Sequence, residues 1–531
     1  MKFKLYFWII LLLPFILLAQ NQQGEAVELP DFVIRGSESV KLPLLKKKRP
    51  FLISSLSREF FLPIYSADDL SLINFNLPDF LQFKKIKKQK KLFGSLSFSA
   101  GYFTLPAGNL NFGFNSRNLD LFLKLWGINV RDYVKYANYN ASGLIGNLDF
   151  YVNKKSRFLP AMAVKINANA NRSKFFLYGS TTPSKIRKTQ SLLLGVNLHY
   201  SNGSKIIFDF NFSDGLLFLN ELDLKEFYPS LKGNILFDFN GFGITEAFTI
   251  KHNKVYANSV KSFSENFFDN HIAIKLQPFI PLKVKFGFYF SAQASNYLFE
   301  PTADLYYNPA EGVTFRLVYL PHSEFLSFRN LFALNKFISL SSLNGKYIGF
   351  NSDLTMSIGY EYRKKFQISG GFQFQSANKY PYFQDVNIRG VFQPLDANNV
   401  SKARFFLNLF YYNNNFGNIS ALFELNDVRN GKDILLPYFP KYTLNANYSR
   451  KLFEKFEVEI TLQYFSNYFT NLQHTHLIDT YLNIKANLKY SFSRKLKFDL
   501  KLNNLLNNNN FYYFGYKEEP FDLLVGVEYN F

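Results

Sequence analysis

The chain has 531 residues, 61 Lys and Arg against 40 Asp and Glu, and a formal net charge of +21. The absence of Cys excludes disulfides, thiolate metal sites and a lipid-anchored cysteine at a signal junction. Beyond the N-terminus no stretch approaches the ~20 consecutive apolar residues of a spanning helix, and the basic balance comes with no recognisable nucleic-acid-binding module.

Taken in chain order, Lys2 and Lys4 precede an apolar run from Leu5 to Leu18, followed by Ala19, Gln20 and a polar stretch. A charged start, a short apolar core and a small-residue exit predict a secretory signal peptide over residues 1–20. Residues 21–91 carry two basic runs, at 46–49 and 84–91. They are read as a short periplasmic segment, either solvated beside anionic headgroups or reaching into a lumen.

From about residue 92 the pattern changes to strict alternation. Ile206, Phe208, Phe210 and Phe212 alternate with Ile207, Asp209 and Asn211. Phe456, Val458, Ile460, Leu462 and Tyr464 alternate with Glu457, Glu459, Thr461 and Gln463. Charges at every second position over many strands require a wet interior opposite an apolar exterior, which a closed barrel in lipid provides. Strands are expected at 93–103, 108–116, 118–126, 142–152, 159–170, 190–200, 204–212, 230–238, 242–250, 270–279 and 282–296. The second half continues at 301–307, 312–320, 350–362, 365–376, 402–412, 416–425, 441–450, 454–465, 480–490, 493–503 and 521–531. The fold class is thus an all-β transmembrane antiparallel barrel of about 22 strands.

Connection lengths alternate as well. NSRN, SNGS, NGFG, YRKK and SFSR are short turns after even-numbered strands, whereas 171–189, 213–229, 251–269, 321–349, 377–401 and 504–520 are long. Short periplasmic turns and long outer loops are the usual asymmetry of outer-membrane barrels, and they put both termini in the periplasm. The last strand sets Phe521, Leu523, Val525, Val527, Tyr529 and Phe531 on one face. Tyr529 and Phe531 are therefore the candidate signal for the barrel-assembly machinery.

The run from Tyr481 to Phe531 resembles the C-terminal end of TonB-dependent receptors. Asn503, Asn504, Leu505, Leu506 and Asn507 match its penultimate segment, and Tyr512, Tyr513, Phe514, Gly515 and Tyr516 match its aromatic, glycine-containing loop. PTADLYYNPAEGVTFRLVYLPHSEFLSF, from Pro301 to Phe328, is similar to the family's mid-barrel hairpin. The resemblance covers roughly residues 92–531 and implies solute uptake across the outer membrane coupled to TonB. It also implies an N-terminal plug, and here the chain departs from the family. ELPDFVIRGSESV, at 28–40, is similar to a plug leader, but the basic residues 41–91 that follow contain no glycine. A conventional plug is therefore not expected. A reduced or separately encoded plug would keep TonB coupling.

Candidate sites are few. The 171–189 connection holds Arg172, Lys174, Lys185, Arg187 and Lys188 with no acidic residue. It is a candidate anion-binding loop for lipopolysaccharide phosphates or an anionic ligand, with a general Lys-rich bias as the other reading. His474 and His476 place two imidazoles near one point, short of a complete metal site, and otherwise read as solvated loop residues. His199 is expected to face the lumen. No catalytic constellation and no cofactor motif stand out. The expected role is solute binding or transport at the outer membrane, the alternative being a non-energised porin-like or surface-interaction barrel. Expected partners are outer-membrane lipid and lipopolysaccharide, the barrel-assembly machinery, and TonB or a separate plug, with no nucleic acid.

Overall fold

The structure, a computed structural model, describes residues 91–531 except 117, 153–161, 203–204, 240, 259, 341–343, 387–389, 414 and 454. The expectations for residues 1–90, signal peptide and basic segment alike, lie outside the described residues.

The first wall strands are β1 (Lys91–Gly101), β2 (Thr104–Asn115), β3 (Leu119–Val130), β4 (Tyr139–Tyr151), β5 (Ala163–Phe176), β6 (Ile186–Asn202) and β7 (Ile206–Leu219). Next come β8 (Leu224–Asp238), β9 (Phe242–Ala257), β10 (Val260–Phe279), β11 (Leu282–Gln293), β12 (Asn296–Tyr307), β13 (Val313–Tyr319) and β14 (His322–Leu326). After the short helix α1 (Phe328–Leu334) follow β15 (Lys346–Tyr362), β16 (Phe366–Gln384), β17 (Gln393–Asn413), β18 (Gly417–Arg429), β19 (Tyr442–Leu452) and β20 (Phe456–Phe465). The chain ends through a small hairpin, β21 (Tyr468–Phe469) with β22 (Leu477–Ile478), then β23 (Tyr481–Ser491) and β24 (Leu496–Asn503). A second hairpin, β25 (Phe511–Tyr513) with β26 (Tyr516–Lys517), precedes the final strand β27 (Asp522–Asn530).

Each wall strand pairs antiparallel with its neighbour, and β27 pairs with both β24 and β1, so the sheet closes on itself. Both β13 and β14 pair with β15 and form one stave interrupted at 320–321. The 23 wall strands therefore make 22 staves. Among the described residues no helix is long and apolar enough to cross a membrane.

Every expected strand has its counterpart, and the wall has the two-faced character that the alternation requires. On one face, polar side chains pair across strands: Lys497 with Glu528 at 3.0 Å, Arg316 with Asp304 at 3.0 Å, Lys275 with Asp238 at 2.9 Å and His199 with Asp209 at 3.3 Å. On the other, Phe98, Phe286, Phe288 and Val525 are exposed. The polar face is the interior, because Leu217, in phase with Asp209, Asn211 and Ser213 on β7, packs in the same core as helix α1.

One expectation is corrected. The strands run much further at the long-loop end than the alternation indicates, so that 213–229 and 251–269 are mostly wall, with 220–223 the connection between β7 and β8. Beyond the membrane belt the interior is filled by protein rather than water, and the inward positions turn apolar. Period-two alternation fades there although the hydrogen-bond ladder continues.

The seam is closed at both ends by specific contacts. Near the termini, Phe531 N–H donates to Gly94 O and Gly94 N–H to Phe531 O, each at 3.0 Å. A Cβ on Gly94 would lie 2.3 Å from the Phe531 ring, so the glycine makes room for it. At the far end the buried Asp522 carboxylate accepts from the N–H groups of Tyr102, Phe103 and Thr104 at 2.9, 3.0 and 3.0 Å. Charge-assisted bonds of this kind are the stronger class.

Replacing Phe531 by Asp, or Gly94 by Val, is expected to lower the heat-modifiable fraction in outer-membrane preparations. Asp522→Ala should lower barrel stability by about 3 kcal/mol, on the scale of lost hydrogen bonds to a charged group. Wild-type migration of all three variants would remove the seam contacts as determinants of closure.

Candidate functional site at the long-loop end

At the end of the barrel away from Lys91 and Phe531, the interior is capped by its own loops. The inward face of β7 changes from Asp209, Asn211 and Ser213 to Leu217 and Leu219. Together with Leu224, Val255, Ile348 and Phe350 from neighbouring strands, these leucines surround Phe328 and Leu331 of α1. Both α1 residues are fully buried.

Helix α1 has only seven residues, and its ends are satisfied locally. Ser327 and Asn330 form a capping box, with Ser327 N–H donating to Asn330 Oδ1 at 3.1 Å and Asn330 N–H to Ser327 Oγ at 3.3 Å. From the wall, the buried Glu226 carboxylate accepts the N–H groups of Phe328 at 2.8 Å and Arg329 at 2.6 Å. A carboxylate at a helix N-terminus meets both the free N–H groups and the positive end of the helix dipole.

After α1 the chain is bolted to β6. Arg187, 2% exposed, pairs through Nε with Glu221 at 2.5 Å and donates through Nη1 to the carbonyls of Lys336 and Ile338, both at 2.9 Å. Lys336 Nζ lies over the rings of Tyr139, Phe175 and Phe337 at 5.6, 5.5 and 5.1 Å.

The centre of the cap is aromatic. Phe337 stacks on Tyr516 and packs with Phe175, Leu177 and Phe392. Tyrosine hydroxyls tie the loops to each other's backbone: Tyr516 to Gly390 O and Tyr513 to Leu334 O at 2.6 Å, Tyr178 to Lys517 O at 2.7 Å, and Tyr468 to Tyr512 O at 2.9 Å. Burial raises the Tyr516 phenol above its ordinary value, so it remains a protonated donor. Three loops meet there backbone to backbone. A Cβ on Gly390 (φ +68) would lie 2.2 Å from Gly179 O, and one on Gly515 (φ +83) 2.8 Å from the same atom. Only glycine fits a positive φ together with such an approach.

The expected site residues are placed as follows. Arg172 and Lys174 lie on β5, Arg187 and Lys188 on β6, and Lys185 in the connection, so the five do not share one loop. Lys185 pairs with Glu221 at 2.6 Å, alongside Arg187. His474 stacks on Phe469 with centroids 4.0 Å apart and donates from Nε2 to Leu435 O, while His476 lies against Phe514. Among the described residues no group of three or more His, Cys, Asp or Glu is arranged to hold a metal. Helix α1 and the glycine junction were missed at the sequence level. The LLFL run at 216–219 and the tyrosines at 512, 513 and 516 carried the available signal.

No family model matches the chain, and no curated protein matches it. Solved structures do. The FrpB iron transporter from Neisseria meningitidis has a TM-score of 0.63 at 10% identity, covering 84% of this chain and 82% of that one. The ferric-catecholate import receptor Fiu from E. coli K12 has 0.61 and the siderophore receptor PiuA from Acinetobacter baumannii 0.59, both at 10% identity over 84% of this chain and 82% of theirs. The likeness shows that this chain has the barrel fold of those outer-membrane receptors.

Arg187→Met leaves Glu221 with Lys185 as its ion-pair partner and frees two carbonyls. It is expected to weaken docking of residues 336–338 by about 3 kcal/mol, the lower end for breaking a buried ion pair. Hydrogen exchange at 336–338 should accelerate while β20 and β23 stay protected. Uniform acceleration over the whole barrel would mean that Arg187 supports the wall rather than the cap.

Proposed function

We propose that this chain is a non-catalytic outer-membrane transporter of the TonB-dependent-receptor type, with its long-loop end outward and both termini periplasmic. The observation that carries the reading is the cap: 22 staves enclose a lumen, and interlocked loops cover one mouth of it. Barrels of 16 to 18 strands leave an aqueous channel, and 22-stranded transporters have a plugged lumen. A cap assembled from several loops suits controlled entry better than a standing porin-like passage. Two features support TonB coupling: the C-terminal and mid-barrel motifs, and the fold shared with iron and siderophore receptors. In this reading the periplasmic closure comes from residues 21–90 or from a plug encoded separately, and the cargo is a solute admitted when the cap opens.

Single-channel conductance tests the reading with four proteins: the full mature chain, a version starting at Lys91, and Gly390→Val in each of the two. The full chain is expected to conduct weakly. A sharp rise on truncation in the Gly390→Val background, where the cap is already loosened, assigns the periplasmic closure to the N-terminal segment. With the cap as a second barrier in series, Gly390→Val should add conductance only where the periplasmic side is already open. Large conductance of the unmodified full chain would overturn the transporter reading in favour of an open pore.

A further inference from the structure

We propose, on the outer-membrane placement above, that the outward face of β5 and β6 binds the phosphates of a phosphorylated glycolipid in the outer leaflet. Outward positions of β5 are apolar from Val164 to Ala170 and then change to Arg172 and Lys174; those of β6 are apolar from Leu198 to Leu192 and then change to Gln190 and Lys188. Counted from Met162 and Tyr200 in the same phase, nine residues precede the change on each strand, within the roughly 9–11 that cross the hydrocarbon. The cations therefore stand at the level of lipid headgroups.

Their arrangement is costly without a partner. The register sets Lys174 directly opposite Lys188, with Arg172 on the diagonal, and like charges directly opposite on one face destabilise a strand pair. None of the three forms an ion pair among the described residues. Glu221, at the end of the neighbouring strand, is taken by Lys185 and Arg187. The lateral row from Arg172 continues through Gln190 and Phe218 to Lys225, which adds a further cation on β8.

An occupant that meets both halves of this surface is an amphiphile. Its acyl chains lie on the apolar strip below, and its anionic groups lie among the cations. On β4, Asn140 and Ser142 are in register with Lys174 and Arg172. With Gln190 they give the cations a border of hydrogen-bonding side chains, which fits sugar hydroxyls as well as phosphate. That border favours a glycolipid over a simple phospholipid.

The test is binding of the full-length protein, folded in detergent, to bisphosphorylated lipid A, to chemically dephosphorylated lipid A and to phosphatidylglycerol. Folding is checked by heat-modifiable migration and membrane placement by cell fractionation. The wild type is expected to prefer bisphosphorylated lipid A and to lose affinity as salt rises. The triple variant R172Q/K174Q/K188Q should bind it on the order of 100-fold more weakly, the loss appropriate to three basic residues at an anionic surface. Lys432→Gln, on an exposed loop elsewhere, should bind as the wild type does. Equal wild-type affinity for the phosphorylated and dephosphorylated lipids, or for phosphatidylglycerol, would overturn the assignment, as would unchanged binding by the folded triple variant. Should the triple variant fail to fold, the wild-type comparison of the lipids decides alone. Fractionation away from the outer membrane would instead refute the placement itself.

Discussion

Everything in this molecule follows from the need to pair every backbone N–H and C=O at membrane depth. An open sheet would expose two rows of such groups to hydrocarbon, at a cost of several kcal/mol each. Closure of β27 onto β1 removes both edges, and it obliges the wall to carry opposite polarities on its two sides. The pairs Lys497–Glu528 and Arg316–Asp304 are tolerated because they face the lumen, and the Phe and Val side chains opposite them lie toward lipid. Closure with this many staves has a second consequence, since a lumen of that width is too broad to be filled by wall side chains alone. Something else must occupy its mouth.

The cap meets that requirement by continuing the wall instead of adding a domain. Inward positions Leu217 and Leu219 on β7, Leu224 on β8 and Val255 on β9 are apolar above the belt, and the loops fold onto them. The hydrophobic effect thereby acts inside the barrel only where water is displaced by α1 and its neighbours. Below that level the same face stays polar and wet. Anchors from the wall fix the arrangement: Glu226 at the start of α1, and Arg187 on the segment after it.

The membrane-spanning part was legible in the sequence because there the solvent on each side differs sharply, and the period of two records that difference residue by residue. Strand length was less so. At 216–219 four apolar residues in a row hide the alternation: Leu217 and Leu219 are buried under the loops, while Phe218 is an exposed apolar residue on the outer face. Helix α1 spans two turns at most, and FRNLFAL carries too little periodicity to distinguish a helix from a loop. Arg187 read as a free cation in a basic stretch, because its partner Glu221 lies across a strand connection whose register cannot be inferred from composition. The glycine junction joins residues 179, 390 and 515, and nothing in the sequence connects the three loops that carry them. Tyr516 is a partial exception, since the aromatic loop was singled out by resemblance, and it occupies the centre of the cap.

That the same fold is reached at 10% identity is itself physical. A barrel asks for the alternation of polarity, a count of staves and short turns at one end, and many sequences satisfy those demands without sharing residues. The cap obeys a stricter rule, because its loops must fit one another and no generic pattern provides that fit. Its closure rests on many small terms. A tyrosine hydroxyl donating to a carbonyl in another loop contributes a net of about 1 kcal/mol, and four such bonds join the loops here. Each carbonyl can exchange its tyrosine for water or for a ligand donor at little cost, whereas the buried Arg187 and Glu226 contacts have no such substitute. Opening is therefore expected to begin at the tyrosine-linked centre, around residues 390 and 515, while α1 stays docked to the wall. In the transporter reading proposed above, entry at the centre with a fixed rim would let a solute replace the interactions that it breaks and leave the apolar core beneath α1 covered.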